Sequence, residues 1–421
     1  MDPETNTDKA ELPSDAPAKD EDNHILPTGI TGEVETLSSR LALRLTELGA
    51  RVSTTQKQIE ADLDRSPFHR RIFVQLPTQH NLSDLATPVV EELQLYGVLF
   101  TKGSFLHLLD QQYVAGPDNC GDNPSRWAVL STFFAISILY RTVNSSLEAK
   151  SPMSWGYFKN AFAIFPELVI QADALSACEA LIIMATFMVC TPDARTTSQL
   201  AAASARLVCV LGLHQKDHYL TLDADIAARH RRVFWAAYIL NADLTHKYGL
   251  LSPFGSDEVS VDLPEDDGID GPLSATTSIH PKLSNPPGHF RHMAKLAIIQ
   301  SRIHALLPSD SALETQNSAL LDATIALLND LETWKSTLSE RLQPQRHAPE
   351  EVSSDMRLAM LHYTYHSCAA KLYTAATHQI NLGASSLVYS GGFSRALGAA
   401  SARAIFSVMH RSSPQPFFQL W

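Results

Sequence analysis

Two apolar runs decide the fold of this 421-residue chain: QLAAASARLVCVLGLH at residues 199–214 and IAARHRRVFWAAYILNADLTHKY at residues 226–248. In both runs small or apolar residues recur every three or four positions, which is the spacing of one face of an α-helix. Phe234 and Trp235 lie on the apolar face of the second run, and Arg231 and Arg232 lie toward the edge of that face. An acidic segment with a proline, DEVSVDLPEDD at residues 257–267, follows. We therefore predict a central helical hairpin that ends in a loop, with the rest of the chain packed around it.

The composition indicates a soluble intracellular protein, located in the nucleus or the cytoplasm. Hydrophobic residues make up 45% of the chain, which is enough to bury a large core. The five cysteines are odd in number and scattered, as reduced intracellular thiols are. We predict no membrane segment and no signal peptide, because long uncharged apolar runs are missing and residues 1–20 are acidic. The net charge of −12 argues against a general nucleic-acid-binding surface.

Composition also divides the chain into three parts. Residues 1–30 are charged and poor in large apolar side chains, so we predict a disordered acidic tail. Residues 31–64 should form an amphipathic helix or linker, which either packs on its own domain or pairs as a short coiled coil. Residues 65–421 should form one helical domain, in which Ser83 begins an early helix as its N-cap. Because the alternating pattern of a β-strand is missing, the predicted fold class is all-α, a large multi-helix bundle.

The hairpin and several flanking motifs resemble a known family. The hairpin motifs are ASARLVCVLGLH from Ala203, RRVFW from Arg231, YIL from Tyr238 and DLP from Asp262. The flanking motifs are Leu76-Pro77, Ser104 to Leu106 before Tyr113, Leu361-His362 and Tyr365-His366. Over residues 76–412 the chain resembles the fungal-specific transcription factor domain, the regulatory middle region of many fungal zinc-cluster regulators. The resemblance implies an all-helical regulatory domain.

Two features depart from the pattern of that family. A zinc-cluster DNA-binding head needs six closely spaced cysteines, because thiolates must bridge two Zn²⁺ ions, and residues 1–119 contain no cysteine. The usual Asp-Arg pair after YIL is replaced by Asn241-Ala242, and the usual Gly-Arg-Pro by Gly249-Leu250-Leu251. We therefore expect no direct specific DNA binding by this chain, and a more apolar environment near the hairpin than the family has.

A pair of histidines could in principle bind a metal ion. His362 and His366 are four residues apart on a predicted helix, but no carboxylate has matching spacing and tyrosines lie between them. A core or pocket-lining role is therefore the preferred interpretation over metal ligation. We predict no metal site and no cofactor.

Polar groups of the hairpin lie on apolar faces, where an unpaired charge would be costly. They either form buried ion pairs or line a cavity between helices, where helical folds build small-molecule sites. The ligand-pocket candidates are Trp235, Tyr238 and Asn241. The candidates for acid–base or orienting roles are His362, Tyr365, His366, Asp243 and Arg206. We expect the hairpin and the late histidine-containing helix to form opposite walls of one cavity.

Two functions are compatible with these features. The first is a transcription-factor-like regulator in fungal, specialised metabolism, which lacks its own DNA-binding module and binds a protein partner or a small hydrophobic metabolite. Such a regulator could act as a homo- or heterodimer. The second is a cofactor-independent enzyme that catalyses dehydration, cyclisation or Diels–Alder-type cycloaddition of hydrophobic intermediates. Holding reactants together can supply about 7–11 kcal/mol in the best cases, so such an enzyme needs few catalytic groups.

Overall fold

The computed structural model divides the chain into two compact units, residues 1–69 and 70–421. The described residues are 39–55, 57, 70–92, 96, 99–140, 147–170, 172–255, 258–264, 288–307, 318–340, 342–345, 356–384 and 390–411. In the first unit, residues 39–55 form an α-helix, α1, within the predicted helix or linker. Residues 1–30, for which a disordered tail is predicted, lie outside the described residues.

The regular structure of the described residues is entirely helical, which confirms the predicted all-α class. The α-helices of the second unit are α2 (Gln79–Glu92), α3 (Lys102–Ala115), α4 (Pro124–Tyr140), α5 (Leu147–Ala163), α6 (Phe165–Ile170), α7 (Ala174–Val189), α8 (Ala194–Val210), α9 (Ala224–Tyr248), α10 (His289–Leu306), α11 (Ser318–Ser336), α12 (Met356–Asn381) and α13 (Gly391–Arg411). Within the described ranges, none of the helices is both long enough and apolar enough to cross a membrane.

The predicted hairpin is formed by α8 and α9 at the centre of the unit. α7 is the most apolar neighbour of this hairpin, and it packs against α4, α8 and α9. The face of α8 that meets its neighbours carries small residues, including Ala201 and Ala205, which allow close approach of the helices. The side-chain amide of Asn241 on α9 donates to the carbonyl of Ala201 at 3.1 Å. A polar residue on an apolar face thus joins the two helices of the hairpin.

The turn after α8 binds the acidic segment that the sequence places behind the hairpin. Gly212 has a φ of +73°, a conformation that glycine adopts without strain, and the chain reverses there. Beyond the turn, the carbonyl of His214 accepts hydrogen bonds from the backbone N–H groups of Ser260 and Val261, at 2.9 and 3.1 Å. These bonds hold the segment 258–264 against the loop between the two helices.

The remaining helices extend the bundle from α9. α10 packs on α9, α11 packs on α10 and α12, and α12 also packs along α13. The Trp334 indole N–H of α11 donates to the carbonyl of His292 on α10 at 3.1 Å. Near the start of α10, the Arg291 guanidinium donates from Nη1 to the carbonyl of Pro264 at 2.8 Å. The two ends of the connection from the acidic segment to α10 therefore lie together.

The expected start of the early helix at Ser83 is wrong. α2 begins at Gln79, and Pro88 lies inside it. The physical reason is tertiary packing, since Leu82 is fully buried and its backbone N–H bonds the carbonyl of Thr78 at 3.1 Å. The Pro88 ring is exposed, so the carbonyl one turn earlier loses its helical partner on the solvent side of α2, where the loss costs least.

Candidate ligand cleft at three helix N-termini

The charged candidates of the hairpin have different environments. Arg206 is exposed on α8. Asp243 is buried on α9, where its Oδ2 accepts hydrogen bonds from the Tyr96 hydroxyl at 3.0 Å and from Lys247 Nζ at 2.8 Å. Burial, together with the charge of Asp243, raises the pKa of Tyr96 well above its usual value. Asp243 and Lys247 thus form a buried ion pair. An ion pair of this kind was one of the two alternatives that the sequence left open for the polar groups of the hairpin.

The aromatic candidates of α9 contact the acidic segment, the segment after α9, and α10. Trp235 is buried, and its indole N–H donates to the carbonyl of Asp262 at 2.9 Å. The Tyr238 ring lies 5.1 Å from the ring of Phe254, and the Tyr238 hydroxyl lies near Ser301 on α10. The polar tip of Trp235 is thus bonded within the fold, and that of Tyr238 lies against α10.

The histidine candidates of α12 contact the end of α11 and the segment that follows it. His366 Nε2 lies 3.2 Å from the carbonyl of Gln345, and the Tyr365 hydroxyl donates to Glu332 Oε1 at 2.5 Å. The backbone of Leu342 approaches the His362 ring, but neither ring nitrogen has a hydrogen-bond partner of normal geometry in the described part of the chain. Burial lowers the pKa of His362 and of His366 to about 4, so both rings are neutral at physiological pH.

These contacts give the two groups of candidates different neighbours. α9 meets α12 near its own C-terminal end, where His246 Nε2 lies 3.0 Å from Ser367 Oγ. Trp235 and Tyr238 lie further back along α9, against residues 254, 262 and 301. In the described ranges, no three His, Cys, Asp or Glu side chains come together as a group that could hold a metal ion. That Trp235 and His366 line one cavity stays a prediction.

A half-open cleft of about 380 Å³ lies elsewhere, among α3, α4, α7 and α9. It contains none of the candidate residues chosen from the sequence. Its apolar lining residues are Leu99, Phe100, Leu108 and Val129. Its polar and charged lining residues are Thr101, Ser104, His107, Asn123, Ser125, Arg126, Ser176, Glu179, Arg229 and Arg232.

The polar lining comes mainly from the first turns of three helices. Thr101 caps α3, with its side chain accepting from the Ser104 N–H at 3.0 Å while Ser104 Oγ accepts from the Thr101 N–H. Asn123 precedes α4, and its Oδ1 accepts from the Arg126 N–H at 2.9 Å. Ser176 lies in the first turn of α7. Because helix N-termini carry partial positive charge, their convergence favours an anionic group in the cleft.

Two arginines of the cleft are fixed by neighbouring side chains. Arg126 is almost completely buried, and its Nε and Nη2 donate to Gln112 Oε1 at 2.9 Å and to Asp122 Oδ2 at 2.6 Å. Arg229 donates from Nε and Nη2 to the two carboxylate oxygens of Glu179, at 2.8 and 2.7 Å. The hydrogen bond to Glu179 raises the pKa of Arg229 above its already high value, so this side chain stays charged.

The apolar lining belongs to the hydrophobic core. The Phe100 ring packs edge-to-face on the buried ring of Phe133, with centroids 5.8 Å apart. Leu99 and Val129 are themselves buried, and Leu108 packs partly buried against the core. These side chains form a rigid apolar surface next to the cationic groups, so the cleft suits a small molecule with an apolar body.

Sequence reasoning missed this cleft because its walls come from four separate helices. Of the two lining arginines of α9, Arg232 was recognised only as part of the charged edge of a buried helix, and Arg229 was not singled out. A usable signal was present in the capping residues Thr101 and Asn123, which mark two helix starts. That these starts face each other follows from the packing of α3 against α4 and is not visible in either segment alone.

Comparison with known proteins gives matches over most of the second unit. A family model described as "Fungal specific transcription factor domain" matches residues 116–347, more than half of the chain. The chain is 26% identical to proteins named ABC-transporter-regulating transcription factor from Aspergillus fumigatus and Aspergillus oryzae, over 317 and 316 residues. Each of these matches covers 74% of this chain and 34% of the relative. The chain therefore spans about a third of the length of these two relatives.

A further relative comes from Fusarium heterosporum. It is named as the fusaridione A cluster transcription factor, and it is 24% identical over 296 residues, which are 70% of this chain and 55% of the relative. No solved structure gives a significant match to the chain.

Proposed function

The chain belongs to the fungal specific transcription factor domain family, and from this we propose that its helical body regulates transcription in response to a small metabolite bound in the cleft. The observation that carries the proposal is the cleft itself, with charged and apolar walls in one half-open space. Its volume of about 380 Å³ falls within the usual range of small-molecule pockets.

The position of the cleft supports a regulatory role for its occupant. The lining joins residues 99–129, on and around α3 and α4, to Arg229 and Arg232 on the central helix α9. A molecule that contacts all of these helices favours the arrangement in which they lie together. Binding can therefore change the population of any state in which α9 moves relative to α3 and α4.

The names of the relatives support a role in fungal metabolism. Two of them are named for regulation of ABC transporters and one for the fusaridione A cluster. We propose that this chain, too, controls genes for the export or synthesis of small molecules, and that it acts in the nucleus. The comparisons give no support to the enzymatic alternative.

We propose that contact with DNA comes through a module outside these 421 residues. The 421 residues have a net charge of −12, and residues 1–119 offer no cysteine for a zinc cluster. That module lies either on another segment of the same polypeptide or on a protein with which this chain pairs.

A reporter assay tests the regulatory proposal. The chain is fused to an unrelated DNA-binding domain, and reporter output is measured with and without organic extracts of fungal cultures. Leu108→Trp, which fills the cleft, should abolish the response, whereas Leu106→Trp should keep it because Leu106 lies on the same helix, is similarly half-buried and is not part of the lining. Equal responses of the two variants would show that the cleft does not bind the effector.

A further inference from the structure

The three helix N-termini of the cleft differ in whether a negative charge offsets their positive potential. The α7 start is capped by the carboxylate of Asp173, which accepts from the Ser176 N–H at 3.0 Å. The starts of α3 and α4 are capped instead by the neutral side chains of Thr101 and Asn123. A neutral cap satisfies the backbone N–H groups but leaves the positive end of the helix dipole in place. The positive potential of the cleft is therefore concentrated where α3 and α4 begin.

Arg126 adds a full charge at the same place. It lies in the first turn of α4, lines the cleft and is only 6% exposed. Its two hydrogen bonds to other side chains come from Nε and Nη2, so neither uses Nη1. A guanidinium has five N–H donors, and its planar fork matches the geometry of a carboxylate. A buried arginine beside two helix N-termini with neutral caps can bind one anionic group.

The charge balance limits the size of the anion. Three carboxylates oppose the three arginines of the lining, because Arg126 and Arg229 contact Asp122 and Glu179, and Asp173 is close enough to Arg229 to raise its pKa further. The excess positive potential is therefore modest and suits a single carboxylate better than a polyphosphate. The lining also contains apolar side chains, which favour a ligand with an apolar body: Leu99, Phe100, Leu108 and Val129.

We propose that the cleft binds a small organic acid, with its carboxylate near Arg126 and the first turns of α3 and α4 and its apolar body against Phe100, Leu108 and Val129. This inference rests on the proposed function, for which it names the chemical class of the metabolite. The Glu179 carboxylate in the fork of Arg229 is an internal example of the same recognition. An acid that reaches Arg229 would compete with Glu179 and so act on the contact between α9 and α7.

Calorimetric titration of the full chain with matched probes tests the proposal. The acids are decanoate and 1-naphthylacetate, and their neutral counterparts are 1-decanol and 2-(1-naphthyl)ethanol. At least one acid should bind saturably, and its neutral counterpart should bind at least about ten-fold more weakly, because a hydrogen bond to a charged group is lost. Equal affinity of acid and alcohol, or no saturable binding of either acid, overturns the proposal.

A charge-adding variant keeps the test independent of folding. Asn123→Asp preserves a good N-cap but places a carboxylate at the start of α4, so acid binding should fall about ten-fold while the alcohol is unaffected. Asn329→Asp adds the same charge at an exposed position of α11 outside the lining and should leave acid binding within about two-fold of the parent. Equal losses in the two variants would contradict the assigned position of the carboxylate.

The two proposals fail in different ways. If the alcohols bind as well as the acids, and Leu108→Trp still abolishes the reporter response, the cleft regulates but its ligand is not an acid. If Leu108→Trp leaves the reporter response intact while acids bind in the titration, the acid site exists but does not carry the regulation.

Discussion

Arg229 on α9 and Glu179 on α7 form a two-point ion pair in which the carboxylate is 4% exposed and the guanidinium side chain 46% exposed. This difference in exposure predicts that Arg229→Ala and Glu179→Gln lower the free energy of unfolding by different amounts. Arg229→Ala leaves a buried carboxylate without its partner and should lower the free energy of unfolding by about 1–3 kcal/mol. Glu179→Gln leaves an arginine that water can solvate, so it should cost less than Arg229→Ala.

Urea unfolding followed by circular dichroism measures both effects, with Arg302→Ala as the control. Arg302 makes a similar ion pair with Asp330, but both partners are about half exposed, and its loss should cost less than about 1 kcal/mol. The explanation by burial fails if Glu179→Gln proves as costly as Arg229→Ala.

Trp235→Ala should destabilise the fold strongly. The side chain is only 1% exposed, and its indole N–H binds the carbonyl of Asp262. Removing a buried tryptophan costs about 3–5 kcal/mol, measured as the change in the free energy of unfolding in urea. Tyr238→Phe removes only a hydroxyl group near Ser301 and should cost no more than about 1 kcal/mol. A loss below about 1 kcal/mol for Trp235→Ala would mean that the acidic segment does not pack on α9 in solution.

Stability should fall as the pH falls from about 6.5 to about 4. Burial lowers the pKa of His246, His362 and His366 to about 4, whereas in the unfolded chain each titrates near pH 6.5. Between these values the unfolded state binds more protons than the folded state, so the folded state loses about 1.4 kcal/mol per pH unit for each histidine. The stability that comes from these three neutral, buried histidines is fully present above about pH 6.5. It is lost as the pH falls, because the same histidines take up protons in the unfolded chain.

Thermal melts of the parent and His366→Gln between pH 7.5 and 4.5 isolate this effect. Glutamine retains a donor for the carbonyl of Gln345 but takes up no proton, so the melting temperature of the variant should depend less steeply on pH. Parallel pH profiles of the two proteins would show that His366 protonates as easily when folded as when unfolded.

The purified chain should not retain specific duplex DNA on its own. With a net charge of −12 it lacks the cationic balance that supplies most of the affinity for DNA. The measurement is a pull-down of labelled genomic fragments at about 0.15 M salt, alone and after mixing with a DNA-binding member of the family. Sequence-selective retention by the chain alone would contradict the proposal that these residues do not contact DNA themselves.

The sequence predicted the helices whose burial leaves a periodic pattern. α9 was expected at residues 226–248 and is found at Ala224–Tyr248, because its long buried face repeats at helical spacing. The start of α2 was misplaced by four residues, since Ser83 is a good local cap but burial of Leu82 extends the helix backwards. Local signals locate an element reliably only where the tertiary contacts agree with them.

The residues of the candidate site were even harder to predict from local sequence signals than the helix boundaries. The polar residues of α9 were recognised from the sequence, but Asp243 proved to be bonded to Tyr96, which is 147 residues away along the chain. The cleft joins Thr101 and Asn123 to Arg229, and no periodic pattern relates positions so far apart. Such a site depends on how helices pack, which a single sequence does not display.

The bond between Arg291 and Pro264 has a consequence for how the chain can vary. It joins the acidic segment to the first turn of α10, so a longer chain between residues 264 and 288 need not separate the helices on either side. Doubling the length of such a connection costs only about 0.6 kcal/mol in closure entropy. We therefore expect an insertion or an engineered tag between residues 264 and 288 to leave the packing of the helices on both sides unchanged.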